Sequence, residues 1–172
     1  MNNYLQIVSK FISELTKLQI SNAVDVLANK EYCASQCYLG NKLCEFRVAK
    51  ITPKKQGGFV ALWKKSILVD SFSTNIPYSS SDFNVCIIYI EDMVNSGFFI
   101  FTNLILLDQK ILSSDANRGG KLGFRIYPSW VSLESKIAQK TQYWQQKYFI
   151  SFADSQEENI IKLKSILNQE IL

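Results

Sequence analysis

The stretch FNVCIIYI, residues 83–90, decides the fold that this sequence predicts. It is short, rich in β-branched and aromatic residues, and mainly apolar at both of the alternating positions that face opposite sides of a sheet. Such a strand is typical of the centre of a sheet that is covered on both faces. The stretch therefore predicts a central strand in an α/β (α+β) domain with helices packed on the sheet.

Four more stretches are predicted to be strands, because each is short, β-branched or aromatic, and bounded by turn residues. In the stretch that starts at Leu43, Glu45 and Arg47 alternate with Phe46 and Val48, which indicates a half-buried strand. The sequence thus predicts a mixed, mainly antiparallel sheet of about five strands. The four stretches are LCEFRVAKIT from Leu43, GFVALWK from Gly58, GFFIFT from Gly97 and GFRIYP from Gly123.

Helical patterns flank this strand-rich middle and predict packing helices near both ends of the chain. The apolar spacing in residues 1–20 predicts a helix with Asn2 or Asn3 as its cap. Residues 155–171 predict another helix, which Ser155 and Glu158 open as a capping box. Neither an internal repeat nor a second domain is visible, so residues 1–172 are predicted to form a single domain.

A third helix is predicted over residues 133–149, and two of its faces differ in chemistry. The lysines of one face could contact phosphates while a tyrosine among them stacks on a base, or the face could simply be solvated. The adjacent face is predicted to pack. The basic face comprises Lys136, Lys140, Tyr143 and Lys147, and the packing face comprises Ile137, Thr141, Trp144 and Tyr148.

The composition restricts the chemistry of any catalytic site, because none of the 172 residues is histidine. This excludes Ser-His-Asp and Cys-His sites and His-ligated zinc or iron. Catalysis would have to use carboxylate, lysine, tyrosine or thiol groups, or a hard metal on oxygen ligands. With 47% hydrophobic and 20% charged residues, the chain is expected to fold as a globular domain.

The sequence also predicts where the protein works. Its first residues lack the pattern of a signal peptide, and no apolar run approaches the roughly 20 residues of a membrane span. A cytoplasmic protein without a membrane partner is therefore expected. The cysteines are then expected to be free thiols, and their spacing does not match a zinc site. They are Cys33, Cys37, Cys44 and Cys86.

The net charge of +4 is unevenly distributed along the chain. Residues 42–65 contain seven basic residues against one acid, and residues 118–147 contain six against one. If the fold brings these segments together, they form one basic surface that would take an anionic partner such as nucleic acid. The alternative is that these side chains are solvated and have no partner.

Three segments resemble the MepB-like family of small bacterial proteins: FRVAKITPKKQGGFVALWKK from Phe46, GKLGFRIYPSW from Gly120 and AQKTQYWQQKYF from Ala138. The resemblance covers residues 31–149 and implies a restriction-endonuclease-like fold without an established activity. Leu122 stands where the family tends to have a second basic residue, which weakens an anion contact in that loop. The motif falls on Arg47, Lys50, Thr52, Pro53, Lys55, Gly57, Trp63, Lys64, Asp82, Gly97, Lys121, Arg125, Tyr127, Pro128, Trp130, Gln142, Trp144 and Phe149.

The implied fold suggests a metal-dependent site, which these residues carry only in part. Nucleases of this type hold Mg²⁺ between an aspartate near the start of one strand and the acid of a (D/E)-x-K pair on the next strand. Asp82 suits the first role, but GFFIFT contains neither an acid nor a lysine. Glu31 and Glu45 remain as partner acids and Lys50 as the lysine. If Mg²⁺ is bound, Asp82 and Glu45 are its predicted ligands, and no other cofactor is expected.

Charged residues on predicted strands need partners, because an unpaired charge in a protein interior is costly. Arg47 and Lys50 would either pair with one of the three candidate acids or join an anion clamp. Arg125 supports the clamp, since it alternates with the inward-facing Phe124 and Ile126. The predicted clamp comprises Arg47, Lys50, Lys55, Lys64, Lys121 and Arg125, beside the basic face of the third helix.

Three functions follow from these patterns. The leading hypothesis is nucleic-acid binding through a basic cleft on a nuclease-like scaffold. The second is a Mg²⁺-dependent phosphoester hydrolase that uses Asp82 and a glutamate. The third is a protein-interaction module whose surface is supplied by the terminal helices. Whether the candidate acids and Lys50 converge in space decides between the first two.

Overall fold

The predicted central stretch forms a strand over Val85–Glu91 in the computed structural model, which describes residues 1–66, 73–114 and 119–167. None of the helices in these ranges is long and apolar enough to cross a membrane. The helices are α1 (Asn3–Leu15), α2 (Asn103–Asp108), α3 (Lys136–Gln145) and α4 (Gln156–Leu167). The strands are β1 (Ile20–Asp25), β2 (Ser35–Leu39), β3 (Lys42–Val48), β4 (Lys50–Thr52), β5 (Lys55–Ala61), β6 (Trp63–Lys65), β7 (Asn75–Pro77), β8 (Val85–Glu91), β9 (Ser96–Thr102), β10 (Gly123–Ile126) and β11 (Phe149–Ser151).

The main sheet has six strands in the order β1-β2-β3-β8-β9-β11, so β8 lies in its interior. Neighbouring strands run antiparallel, except that β3 and β8 are parallel, with Cys44 beside Val85 and Val48 beside Tyr89. Every side chain from Val85 to Ile90 is buried. The mixed, mainly antiparallel sheet of a single α/β domain and its doubly covered central strand are therefore confirmed.

Two apolar cores lie on opposite faces of the main sheet. On one face, α1 and α4 bury side chains such as Leu5 and Leu163 against Ile87. On the other face, a small sheet of order β10-β5-β4, together with α2 and α3, packs on Ile88 and Phe101. Each fully buried side chain of this size stabilises the fold by about 1.5–3 kcal/mol. The terminal helices and the small sheet with α3 thus occupy opposite sides of the molecule.

Both terminal helices begin where the sequence predicts. Asn2 Oδ1 accepts a hydrogen bond from the Leu5 N–H at 2.9 Å, which satisfies one free donor of the first turn. Ser155 Oγ accepts from the Glu158 N–H at 3.2 Å, and Glu158 Oε2 accepts from the Ser155 N–H at 3.2 Å. The capping box is therefore confirmed. Residues 168–171 of the predicted last helix lie outside the described residues.

Two predicted strands are divided between different sheets. LCEFRVAKIT forms β3 and β4: it follows β8 as far as Ala49, whose N–H donates to the Tyr89 carbonyl oxygen at 2.8 Å, and Lys50–Thr52 then pairs with β5. GFVALWK contributes to β5 and β6, and β6 pairs with β7 as a two-stranded ribbon. The main sheet, with six strands, agrees with the predicted sheet of about five, but GFVALWK and GFRIYP belong to the smaller sheets.

Several short elements are not anticipated by the sequence, namely β1, β2, β7, α2 and β11. Strand β1 is hidden by an irregularity between Ser21 and Val24, where Asn22 has a φ of 51°. The helix predicted over residues 133–149 is too long. It ends as α3 and a 3₁₀ turn, Gln146–Tyr148, and Phe149 then begins β11 because it pairs with Phe99 of β9.

Candidate nucleic-acid interface

The outer face of the small sheet carries a row of cation, aromatic ring and cation. Strand β5 lies between β10 and β4, and Phe59 is the register partner of Arg125 on one side and of Lys50 on the other. Residues at the same register position project from the same face of a sheet. The alternate residues Phe124 and Ile126 are buried beneath them, as the GFRIYP pattern predicts.

Two glycines make room for aromatic rings on this outer face. A Cβ atom at Gly123 would lie 2.7 Å from Cζ of Phe59, and one at Gly57 would lie 2.5 Å from Cδ1 of Tyr127. Gly57 also has a φ of +75°, a conformation that residues with side chains rarely adopt. Each ring therefore lies over a backbone position from which no side chain projects.

Helix α3 is held against β10 by side-chain amides as well as by apolar contacts. Gln145 is buried; its Oε1 accepts from the Tyr127 N–H at 2.8 Å, and its Nε2 donates to the Arg125 carbonyl oxygen at 2.9 Å. Gln146 Nε2 donates to the Tyr127 carbonyl oxygen at 2.9 Å. Each such bond contributes about 1 kcal/mol, and together they fix the position of α3 beside the small sheet.

A cavity of about 350 Å³ lies between α3 and the outer face of the small sheet. Rings of Phe59, Tyr127 and Trp144 form part of its wall, and Lys121 and Arg125 add positive charge. Among the described residues that line it, none is Asp or Glu. The cavity therefore combines aromatic surface with positive charge.

Arg125 is oriented at this cavity by neutral partners. Its Nη2 donates to Thr52 Oγ1 at 2.5 Å, and its Nη1 makes a longer contact of 3.4 Å with the Gln56 carbonyl oxygen. A guanidinium has five N–H donors, so the remaining donors of Arg125 can bind an anion. Its position is fixed before any ligand arrives, which reduces the entropy that binding would cost.

Solvent surrounds the predicted basic face of α3. Lys136, Lys140 and Lys147 are exposed, and Tyr143 is 75% exposed. The prediction that Ile137 packs is wrong, since its side chain is 81% exposed. The hydrogen bonds of Gln145 and Gln146 with Tyr127, and the contact between the rings of Trp144 and Phe101, hold the end of α3 against the domain. In its first turn, Ile137 faces solvent.

The candidate cations divide into paired and unpaired groups. Lys50 Nζ lies 3.3 Å from Glu31 Oε2, and Lys64 Nζ lies 2.6 Å from Asp82 Oδ1. The other candidate cations, apart from the buried Arg47, have no carboxylate within 4.0 Å in the described ranges. With Tyr143 they are called the basic surface below: Lys55, Lys121, Arg125, Lys136, Lys140 and Lys147.

Glu45 and Arg47 form an ion pair inside the domain, and both side chains are 0% exposed. Arg47 Nη1 donates to Glu45 Oε2 at 2.8 Å, and Nη2 donates to the Tyr78 hydroxyl oxygen at 3.2 Å. Gln36 Nε2 donates to Glu45 Oε1 at 2.5 Å. Burial opposes the charge of Arg47, but Glu45 and Tyr78 outweigh it and raise its pKa above the usual value.

This buried pair corrects two expectations about β3. The face that carries Glu45 and Arg47 is fully buried rather than half-buried, because residues of the second layer such as Tyr78 cover it. Of the two alternatives for Arg47, the structure shows the internal ion pair. Its guanidinium does not reach the surface, so it does not share a cleft with Arg125.

The groups around this pair predict a loss of stability at alkaline pH. Burial raises the pKa of the Cys86 thiol from 9.0 to about 12, and burial followed by Glu45 raises the pKa of Tyr78 from 10.0 to about 12. Both groups stay protonated to a higher pH in the folded protein than in the unfolded protein. Their stabilisation is complete below pH 9 and is lost as the pH rises towards about 12.

We therefore expect Cys86→Ala to flatten the alkaline decline of the free energy of unfolding, measured by urea titration at several pH values. The wild-type protein should lose about 1.4 kcal/mol per pH unit more than the variant above the usual thiol pKa. Lysine ionisation affects both proteins equally and cancels in the comparison. Parallel curves for the two proteins would show that the thiol does not contribute.

Two of the candidate acids, Glu45 and Asp82, pair with different cations of the chain, Arg47 and Lys64. Glu45 and Arg47 are two residues apart on one face of β3, which is the (D/E)-x-K spacing with arginine in place of lysine, but neither reaches solvent. Asp82 lies in the turn before β8, not at the start of the strand, because its carboxylate accepts from the Ser79 N–H at 2.7 Å.

The remaining candidates complete the comparison with a nuclease site. Glu31 is exposed and pairs with Lys50, which belongs to the small sheet and not to the strand of Glu45. Among the described residues, no three or more Asp, Glu or Cys side chains are grouped so that they could hold a metal ion. Because the carboxylates of Glu45 and Asp82 are paired with Arg47 and Lys64, the two residues as placed do not fit a shared magnesium site.

The sequence analysis missed two residues that shape the cavity, Phe59 and Gln145. Phe59 lies in an apolar strand, where period-2 alternation with the buried Val60 would have placed it on the outer face. Gln145 precedes the 3₁₀ turn and is fully buried, a position that a polar residue occupies only when both amide atoms are bonded. No sequence signal identifies its partners.

Comparisons with known proteins can be set beside this geometry. The sequence model of the MepB-like family matches residues 27–151. The chain belongs to the MepB-like family. The crystal structure of MepB matches 90% of this MepB-like chain and 100% of its own, with 30% sequence identity and a TM-score of 0.74.

Two other comparisons add little to this assignment. A bacterial homing endonuclease matches 98% of the MepB-like chain and 93% of its own, with 11% identity and a TM-score of 0.46. That similarity is remote, and the relation to restriction endonucleases stays a prediction. No curated protein matches the chain.

Proposed function

We propose that this MepB-like protein binds nucleic acid through the basic surface formed by the small sheet and α3. The observation that carries the proposal is the division of the cations. Arg47, Lys50 and Lys64 are neutralised by acids of the chain, whereas those of the basic surface have no carboxylate within 4.0 Å in the described ranges. A phosphate backbone supplies the missing negative charges.

The arrangement of α3 supports the same partner. Lys136, Lys140 and Tyr143 recur on one exposed face of α3, and Lys147 follows in the 3₁₀ turn, so successive phosphates of one strand could contact successive turns. Tyr143 is 75% exposed among them and offers a ring on which a base or sugar can stack. The cavity beside α3 adds the cations Lys121 and Arg125 to those of the helix.

A salt titration tests this proposal. We expect wild-type protein to bind a single-stranded oligonucleotide at low salt, measured by fluorescence anisotropy, and to lose affinity steeply between about 50 and 200 mM salt. Combined Lys136→Ala, Lys140→Ala and Lys147→Ala should weaken binding and make the log-log slope shallower by about 2, because each phosphate contact contributes about 0.7.

The matched control removes the same charge from the opposite side of the molecule. Lys10, Lys17 and Lys164 lie on or beside α1 and α4, and their combined replacement by alanine should leave the slope unchanged. Absence of binding at low salt, or binding that does not respond to salt, would refute the proposal. Equal losses in both triple variants would show that net charge alone is responsible.

A further inference from the structure

Three aromatic rings from separate elements converge on the cavity between α3 and the small sheet. Phe59 comes from β5, Tyr127 follows β10 and Trp144 belongs to α3. Phe59 meets the ring of Tyr32 edge-on with centroids 6.3 Å apart, and Trp144 lies 5.4 Å from Phe101. The rings are thus supported by the core, while each stays partly exposed towards the cavity.

The polar lining of the cavity selects a ligand with a negative charge next to a planar group. Lys121 is exposed and Arg125 keeps free donors, and the lining residues that the structure describes include no acid that opposes them. Gln109 and Thr141 add neutral hydrogen-bonding groups. A nucleotide combines these features, since its base stacks on aromatic rings and its phosphate binds arginine and lysine.

The size of the cavity sets how much of a nucleic acid it can hold. Its volume of about 350 Å³ is at the small end of ligand pockets, which span roughly 300–1,000 Å³, and suits a single nucleotide. A base reaches it only after leaving its stack, which single strands permit at low cost. In a duplex the ring faces are covered by neighbouring bases, so a base could not stack on the rings of the cavity unless it left the helix.

We infer that this cavity is a base-binding subsite that receives one unstacked nucleotide, so that single-stranded nucleic acid is the partner of the basic surface. The inference rests on the proposed function and adds the class of nucleic acid. Lys121 and Arg125 hold the phosphate of the inserted nucleotide, and Phe59, Tyr127 and Trp144 contact its base. The lysines of α3 bind the neighbouring phosphates of the same strand.

The test compares two strands that differ only in their bases. One is a single strand of about 15 thymidines, and the other is an abasic sugar-phosphate strand of the same length. We expect wild-type protein to bind the thymidine strand about tenfold more tightly at one salt concentration, because stacking adds to the phosphate contacts. Phe59→Leu should remove most of this difference and leave the affinity for the abasic strand unchanged.

The matched control is Tyr38→Leu, which removes an aromatic ring that is 40% exposed on β2 and does not line the cavity. It should keep the tenfold preference. Equal affinities of wild-type protein for the two strands would overturn the inference and leave the proposed function standing. Failure to bind either strand at low salt would overturn the proposed function itself.

A second readout avoids any dependence on the folding of the Phe59 variant. The fluorescence of Trp144, taken as the difference between the wild-type and Trp144→Phe proteins, should be quenched by the thymidine strand and not by the abasic strand. A base stacked near the indole accounts for such quenching. An unchanged signal at saturation with the thymidine strand would contradict insertion of a base into the cavity.

Discussion

Glu45→Gln is expected to lower the free energy of unfolding by about 3–5 kcal/mol, which is a large part of the stability of an ordinary domain. The substitution preserves the shape of the side chain and leaves the guanidinium of Arg47 charged, buried and without its carboxylate. The Tyr78 hydroxyl at 3.2 Å is a neutral acceptor and cannot replace that charge. Urea unfolding followed by circular dichroism measures the loss.

Two controls separate the buried pair from its surroundings. Glu31→Gln breaks the ion pair with Lys50, whose two side chains are 68% and 46% exposed, and should cost less than about 1 kcal/mol. Adding Arg47→Met to Glu45→Gln removes both charges and should recover most of the stability. A double variant as unstable as Glu45→Gln alone would show that loss of the pair is not the cause.

Gly57→Ala is expected both to destabilise the protein and to displace the Tyr127 ring in the wall of the cavity. A left-handed φ costs an alanine about 1–2 kcal/mol, and the added Cβ would lie 2.5 Å from both the Ile126 carbonyl oxygen and Cδ1 of Tyr127. Relieving this overlap costs about 1–3 kcal/mol more. Because the Tyr127 ring must move, the preference for a strand with bases should also fall.

Gly119→Ala is the matched control, since a Cβ at Gly119 would meet no atom of the described residues within 4 Å. Its effect on the free energy of unfolding should be within about 0.5 kcal/mol. If Gly57→Ala were as stable as Gly119→Ala, the account of the Tyr127 ring lying over a glycine would be incorrect. If it were unstable but kept the base preference, Tyr127 would not contribute to the subsite.

Much of the architecture could be predicted from local patterns. The apolar run of β8 identified the centre of the sheet, and the capping residues Asn2 and Ser155 marked where the terminal helices begin. These features depend on residues close together in the chain. The division of LCEFRVAKIT at Ala49 could not be predicted, because it depends on which strands the two parts pair with, β8 for the first and β5 for the second.

The candidate site was harder to predict for the same reason. The sequence identified Lys121, Arg125 and the lysines of α3, but a list of charges does not state which of them find partners. In the sequence, Arg47 and Lys64 cannot be distinguished from these residues. The structure shows that they differ, because they pair with Glu45 and Asp82. The cavity itself arises from three segments that meet only in the folded chain, at Phe59, Tyr127 and Trp144.

The parallel pairing of β3 and β8 has a consequence for how the domain assembles. Parallel neighbours require a long crossover, and here that crossover contains β4, β5, β6 and β7. Pairing of β3 with β8 therefore closes a long loop, and that loop carries β5, the middle strand of the small sheet and the source of Phe59. The strand that supplies Phe59 is thus tethered to the main sheet through β3 on one side and β8 on the other.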